Sequence, residues 1–256
     1  MAFDYQLAAH QFEEIGKEKL RLLAPSCAAV EDERPLLKRT ALSMGLTPAT
    51  FMLAVVEGER GSITGQIAAQ MAIAAIGEKA QEICAAPGAQ GRVPAPDVVR
   101  DVFREANRQV YQYAHRMQAG GQVGATGFVC AFDGECFAAA KVGVYEHYLW
   151  RNRELIRLHR QSSDAETQSA AGTLQRFIGA NSQILVDFAS VTLRDGDCLL
   201  VTTLGAGEEF EHVVRDVLSR TMDTEEISRQ LCTRALPSNL AAGAGAAWVL
   251  RRNLFF

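Results

Sequence analysis

Residues 51–76 read FMLAVVEGERGSITGQIAAQMAIAAI, and this stretch decides the fold. Phe51–Val56 is an unbroken apolar run of strand length, the pattern of a strand covered on both faces. Gly58, Gly61 and Gly65 follow, where a sharp turn and a close strand–helix approach both favour a residue without a side chain. From Ile67 onward, Ile67, Met71, Ile73, Ala74 and Ile76 predict one apolar helix face. Glu57 therefore stands between a core strand and a core helix, a position in which an enzyme can hold a metal ion.

Working outward, the chain has 256 residues, 48% of them hydrophobic and 22% charged, which suits one layered globular domain over residues 1–256. The net charge of −4 argues against broad binding to nucleic acid or to an anionic membrane. A basic cluster at Trp150–Arg160 (WRNRELIRLHR) reads as a solvated strand-turn-strand face. No segment approaches the ~20 unbroken apolar residues of a membrane span. The N-terminus lacks a basic start followed by an apolar core, so a cytoplasmic location is expected. Cys27, Cys84, Cys130, Cys136, Cys198 and Cys232 are scattered without a CxxC pair, and are expected to be reduced and structural.

The rest of the chain yields an ordered series of elements. Tyr5–Leu23 reads either as an amphipathic helix or as a strand, YQLAAHQF, followed by a turn at Gly16. The helix after Gly65 runs to about Cys84, and Val98–Met117 is a second amphipathic helix with Val98, Val102, Ala106, Val110 and Tyr111 near one face. Strands follow at FVCAF, CFAAAKVG, HYLWR and ELIRLHR, then at ILVDFASVTL and CLLVTTL around a hairpin turn, RDGD. A helix from about Glu208 to Arg220, a helix TEEISRQLCTRAL capped by its threonine, and a last strand AAWVLRRN complete the order. Segregated helices and hairpin-linked strands predict an α+β layered sandwich.

This order and five local strings resemble the metal-dependent type 2C protein phosphatases, the PPM superfamily. AVVEGERGSITGQIAAQMAI is similar to the family's Val-Ala-Asp-Gly-Met-Gly-Gly turn and following helix, and REANRQVY to its second helix. GATGFVCAFDGECFAAAKVGVYEHYLWRNRELIRL resembles its Gly-Thr-Thr strand, hairpin and Val-Gly-Asp-Ser-Arg strand. LRDGDCLLVTTLGAGEEFE resembles the segment with its Ser-Asp-Gly metal motif, and Ala241–Arg251 its terminal Asp-Asn strand. The resemblance implies a four-layer α-β-β-α sandwich of two antiparallel sheets flanked by helices, with a two-metal site that hydrolyses phosphoserine and phosphothreonine.

The acids depart from that pattern. Glu57 and Gly58 match the bridging Asp-Gly, but Leu204 matches the Ser-Asp-Gly aspartate, Val144 that of the Val-Gly-Asp strand, and Gly243 and Ala244 the terminal Asp-Asn pair. FEEIGKEKLRLLA resembles the N-terminal Gly-x-x-Arg-x-x-Asn-Glu-Asp segment, with Lys19 for the phosphate-binding arginine and Leu22, Leu23 and Ala24 for the acids; a second register uses Glu31 and Asp32. Two divalent ions about 4 Å apart repel by roughly 17 kcal/mol at an effective dielectric of about 20, and several carboxylates must offset that. One remains.

The reading that follows is a catalytically inactive phosphatase domain, a pseudophosphatase in signalling, that binds a kinase, a phosphatase or a phosphoprotein. It needs no cofactor. The alternative is a divergent serine/threonine phosphatase with a rearranged Mg²⁺ or Mn²⁺ site drawing on Glu57 and on Glu208, Glu209 or Glu211. Those three are otherwise the acidic first turn of a helix, and Asp195 and Asp197 are turn residues. The histidines His10, His115, His147, His159 and His212 show no metal-binding spacing. Gly120–Gly127 lacks the Lys-Ser/Thr of a phosphate loop.

Overall fold

A computed structural model describes residues 5–11, 39–45, 51–58, 63–85, 94–118, 123–133, 135–143, 145–158, 177–184, 186–202, 208–223, 226, 227, 229–231, 234 and 246–252. They form β1 (Tyr5–Gln11), β2 (Arg39–Gly45), β3 (Phe51–Gly58), α1 (Ile63–Ala85), α2 (Ala95–Arg116), β4 (Ala125–Phe132), β5 (Cys136–Val142), β6 (Glu146–Arg151), β7 (Glu154–Arg157), β8 (Asp187–Thr192), β9 (Cys198–Thr202), α3 (Glu208–Arg220) and β10 (Ala246–Arg252). Residues 226, 227, 229–231 and 234 are also helical. Among the described residues, two antiparallel sheets account for the strands, in the orders β2-β3-β4-β5-β8 and β1-β10-β9-β6-β7. Contacts gather the chain into two interleaved units, one around each sheet. The α+β class with two antiparallel sheets and accompanying helices is therefore observed.

In the first unit (residues 37–143 and 160–192), α1 and α2 share a core with one face of the β2–β8 sheet. Met52, Ala54 and Val56 of β3 join that core, as do Ala131 of β4 and Ala138 and Ala140 of β5. Leu53 and Val55, which alternate with them, are buried as well, so β3 is covered on both faces as its apolar run predicts. Helix α1 buries Ala68, Ala69, Ala72, Ile73, Ala75, Ile76 and Ala80, while Ile67 and Met71 are half-buried and Ala74 is exposed. The expected face is thus rotated. This helix is apolar nearly all round, and its small residues are the ones that let it lie close to a sheet.

The closest approach is at Gly58, where an added Cβ would fall inside the backbone carbonyl of Gly65 and 2.8 Å from the Gln66 nitrogen. Helix α2 is started from a distance. Its N-terminal Pro94 offers no side-chain cap, and the buried Asp133 of the β4–β5 turn instead accepts from the Ala95 nitrogen at 3.0 Å and from the Glu135 and Cys136 nitrogens at 3.1 and 2.8 Å. Asn107 pins its middle: the side chain accepts from the Gly179 nitrogen and donates to the Asn181 and Ser182 carbonyls.

In the second unit (residues 1–36, 144–159 and 193–256), two arginine–carboxylate forks tie the β1–β7 sheet together. Arg151 donates to Asp197 through Nε at 2.9 Å and Nη2 at 2.5 Å, and Arg157 donates to Glu146 through Nε at 2.8 Å while its Nη2 lies 2.7 Å from the other carboxylate oxygen as an ion pair. The hydrogen bond to its carboxylate partner is the main cause that holds each guanidinium pKa above its usual range. The cluster at Trp150–Arg160 is consequently not a plain solvated face: Trp150 is buried, and Arg151 and Arg157 are largely sequestered in these pairs.

Three further expectations change. Tyr5–Gln11 is a strand, the second of the two readings for that region. The RDGD segment turns, with the Asp197 nitrogen donating to the Arg194 carbonyl, but it does not close a hairpin, because β8 belongs to one sheet and β9 to the other. The helical residues that start at Glu226 are capped by Asp223, whose carboxylate accepts from the Glu226 nitrogen at 2.7 Å and whose carbonyl accepts from Ile227. Thr224 lies outside the described residues. Cys130, Cys136 and Cys198 are free thiols, and burial pushes the Cys130 thiol well above its usual pKa.

Three glycine substitutions separate backbone strain from steric exclusion. Gly196→Ala (φ +83, open space around its Cβ) is expected to cost about 1–2 kcal/mol, the price of a left-handed alanine. Gly179→Ala (φ +90, with its Cβ driven into Val110) adds an overpacking cost and reaches about 3 kcal/mol. Gly58→Ala, free of φ strain, costs about 3 kcal/mol by parting β3 from α1. Urea midpoints at constant m-value measure all three. Asp197→Ala strands Arg151 and should cost about 3–5 kcal/mol, read in the same experiment, with Asp197→Asn recovering part of the loss.

Candidate functional site

The candidate site is the end of the first unit's sheet where β3 gives way to α1. Antiparallel register sets Glu57 opposite Thr126 of β4 on one side and opposite Arg39 of β2 on the other. Glu57 alternates with Val56, so it belongs to the sheet face turned away from the core shared with α1 and α2. It is 8% exposed. A carboxylate so placed is held at a fixed position by the strand on which it sits and by the glycine beside it.

Two more glycines shape this end. Gly127 lets β4 lie close to β3, since a Cβ there would sit 2.7 Å from the Val55 carbonyl oxygen. Gly143, with φ +103, lets the chain leave β5 directly over Thr126, whose Cβ would be 2.7 Å from an added Cβ. Glu57, Thr126 and Gly143 therefore lie in one row across three strands. Gly143 and Thr126 belong to the GATGF and KVGV strings, where the sequence reading weighs Gly120–Gly127 as a phosphate loop and Val144 as a lost acid position, and singles out neither residue for this site. The signal was present as glycines at strand ends.

Chemically, the row offers one carboxylate and one hydroxyl. That donor set does not fit a pair of hard divalent ions, which requires several anionic oxygen ligands. Among the described residues, no three His, Cys, Asp or Glu side chains come together as a metal-binding group. Lys19, Val144, Leu204, Gly243 and Ala244 lie outside the described residues, as do Leu22, Leu23, Ala24, Glu31 and Asp32.

The other candidate acids have structural employment. Glu208, Glu209 and Glu211 occupy the first turn of α3, where the helix dipole favours negative charge. Glu208 and Glu209 are exposed, and Glu211 pairs with Arg215 at 2.8 Å. Asp195 is exposed in its turn, whereas Asp197 is 2% exposed and committed to Arg151 and the Arg194 nitrogen. His147 is buried on β6, and His212 is exposed on α3. Tyr148 was not anticipated: its ring is fully buried beside Phe210, and burial, followed by the charge of Glu146, pushes its hydroxyl pKa up.

No family model and no curated protein matches the sequence. Solved structures do match. The catalytic domain of the serine/threonine phosphatase PstP, in complex with two manganese ions, is 18% identical over 85% of this chain and 99% of its own, with a TM-score of 0.60. The PPM Ser-Thr phosphatase MsPP from Mycobacterium smegmatis, in complex with cacodylate, is 20% identical over 87% of this chain and 94% of its own, with a TM-score of 0.57. PppA, described as a key regulatory component of T6SS in Pseudomonas aeruginosa, is 17% identical over 85% of this chain and 98% of its own, with a TM-score of 0.55. At such low identity the likeness speaks for architecture, and it extends over nearly the whole of each solved chain. No helix among the described residues is long and apolar enough to cross a membrane. The chain has the fold of the PPM-type serine/threonine phosphatases.

Proposed function

We propose that this chain is a pseudophosphatase: a phosphatase-fold domain that acts in the cytoplasm by binding a protein rather than by hydrolysing phosphoester bonds. One observation carries the reading. Of the positions matched to the family's metal aspartates, Glu57 alone retains a carboxylate, while Leu204, Val144, Gly243 and Ala244 offer no charged oxygen. Leucine and valine cannot ligate a hard cation, and one carboxylate cannot offset the mutual repulsion of two dications. Gly58, matched to the family's glycine, still lets α1 close onto β3 beside Glu57, which suits a scaffold kept for binding.

The partner class is a kinase, an active phosphatase or a phosphoprotein, with no role for nucleic acid or membrane. That a protein of this fold, PppA, is described as a regulatory component agrees with such a role. A second reading is favoured by Glu57 itself, a buried carboxylate at the family's turn: a divergent serine/threonine phosphatase using a single Mg²⁺ or Mn²⁺.

Turnover of p-nitrophenyl phosphate in millimolar Mn²⁺, together with calorimetric Mn²⁺ titration, decides between them. The expected result is no turnover above the buffer rate and no binding heat. Turnover that Glu57→Ala abolishes, or micromolar Mn²⁺ binding, would overturn the pseudophosphatase and establish the single-metal enzyme.

A further inference from the structure

Glu57 is a charged group taken out of water, 8% exposed at the end of β3, and a carboxylate so placed calls for a compensating positive charge. The donor set beside it does not fit a pair of divalent ions, so the compensation is to be sought within the chain. Strand register identifies the residue in position. Arg39, the first residue of β2, is the direct partner of Glu57 in the β2–β3 ladder, as Thr126 is in the β3–β4 ladder. Directly opposite residues of an antiparallel pair share one face of the sheet, with Cβ atoms ~4.5–5.5 Å apart.

The charge pattern of the whole face agrees. Followed across the sheet by alternation and register, the charged residues on the face of Glu57 are, among those described, Arg39, Glu57, Lys141 of β5 and Asp187 of β8. Lys141 stands directly opposite Asp187, and it too is buried, at 4% exposed. Each cation on this face therefore has an acid opposite it in its own ladder, and the face carries no net charge. A centre for two divalent ions is charged differently. Its carboxylates outnumber the cations of the protein, and bound metal supplies the balance.

We propose that Arg39 is the resident cation of this site: opposite Glu57 it takes the part that a divalent ion has in a metal centre, and it closes this end of the sheet to metal. Arginine stays charged throughout the physiological pH range, so the charge that it supplies depends neither on metal supply nor on pH. It opposes an arriving ion in two ways. It neutralises the one carboxylate that could ligate the ion, and it repels a dication as a like charge. The inference rests on the pseudophosphatase reading for the family position of Glu57 and deepens it, because the metal is then replaced by a residue as well as deprived of its ligands.

A double-mutant cycle on the full chain reads the pair. Arg39→Gln and Glu57→Gln should each lower the urea midpoint, and the loss in the double variant should fall short of their sum by about tenfold in the folding constant. Arg39→Asp tests the exclusion of metal, because it sets a second carboxylate opposite Glu57. Its Tm should fall in EDTA and rise by about 3–5 °C in about 10 mM Mn²⁺, the shift given by a site of about millimolar affinity. The parent should not respond to Mn²⁺, and Glu57→Ala should remove the response from Arg39→Asp.

The proposal is overturned if the two single effects add within about twofold, or if the parent and Arg39→Asp respond to Mn²⁺ alike. Should Arg39→Asp fail to fold, the glutamine cycle decides alone. Turnover of p-nitrophenyl phosphate by the parent would sink the pseudophosphatase reading while leaving the measured coupling of Arg39 to Glu57 as it stands.

Discussion

The contact between Gly58 and Gly65 sets the position of everything else in the first unit. A backbone meets a backbone there, with no room for a methyl group between them. Helix α1 accordingly lies low on the sheet, and most of the residues it buries are small: Ala68, Ala69, Ala72, Ala75 and Ala80 join the core that also holds Ala54 and Ala131. Alanines bury little area each, but they allow close packing at interior density. Helix α2 brings the larger side chains, Val102, Phe103 and Val110, which fill what the alanines leave. A strand tip so tightly held keeps Glu57 in a defined place whether or not that carboxylate has a partner ion.

Carboxylates in this chain divide by how their charge is met. Asp197 and Glu146 are buried and each faces an arginine fork, so their desolvation is offset locally and their role is to lock strands. Asp133 and Asp223 are satisfied by backbone N–H groups and start helices. A two-metal centre demands the opposite arrangement, with several carboxylates crowded together so that only bound cations relieve their repulsion. The acids described here are dispersed among structural tasks, and Glu57 is a buried acid at the end of β3, beside Gly58.

What the sequence made legible follows from which signals are local. The apolar run of β3, the heptad-like spacing of α2 and the acidic first turn of α3 each declare an element within a dozen residues, and all three elements are observed. The buried face of α1 was not legible, because a helix apolar on nearly every side does not state which side meets the sheet; Gly58 and the alanines decide that through packing. Strand β2 was missed because Leu42 and Met44 are its only large apolar residues. RDGD has hairpin chemistry, yet its flanking strands go to separate sheets, a choice made by long-range pairing with β5 and β10. At the site, Glu57 and Gly58 were legible as an acid beside a glycine. Thr126 and Gly143 joined them only through strand register, which no local pattern encodes.

Places where a residue contradicts its local rule separate function from folding. Pro94 leaves α2 without its own cap, and Asp133 resolves that from 38 positions away, so the exception is structural. Gly143 and Gly179 occupy left-handed backbone with the residue type that tolerates it, so they are no exception at all. Arg153 is different. Its left-handed φ is unfavourable, its charge meets no carboxylate among the described residues, and its side chain is exposed. Among the described residues, no hydrogen bond or ion pair offsets that backbone cost. Glycine would take that position of the turn without strain, so the arginine is an exception that the described contacts do not explain.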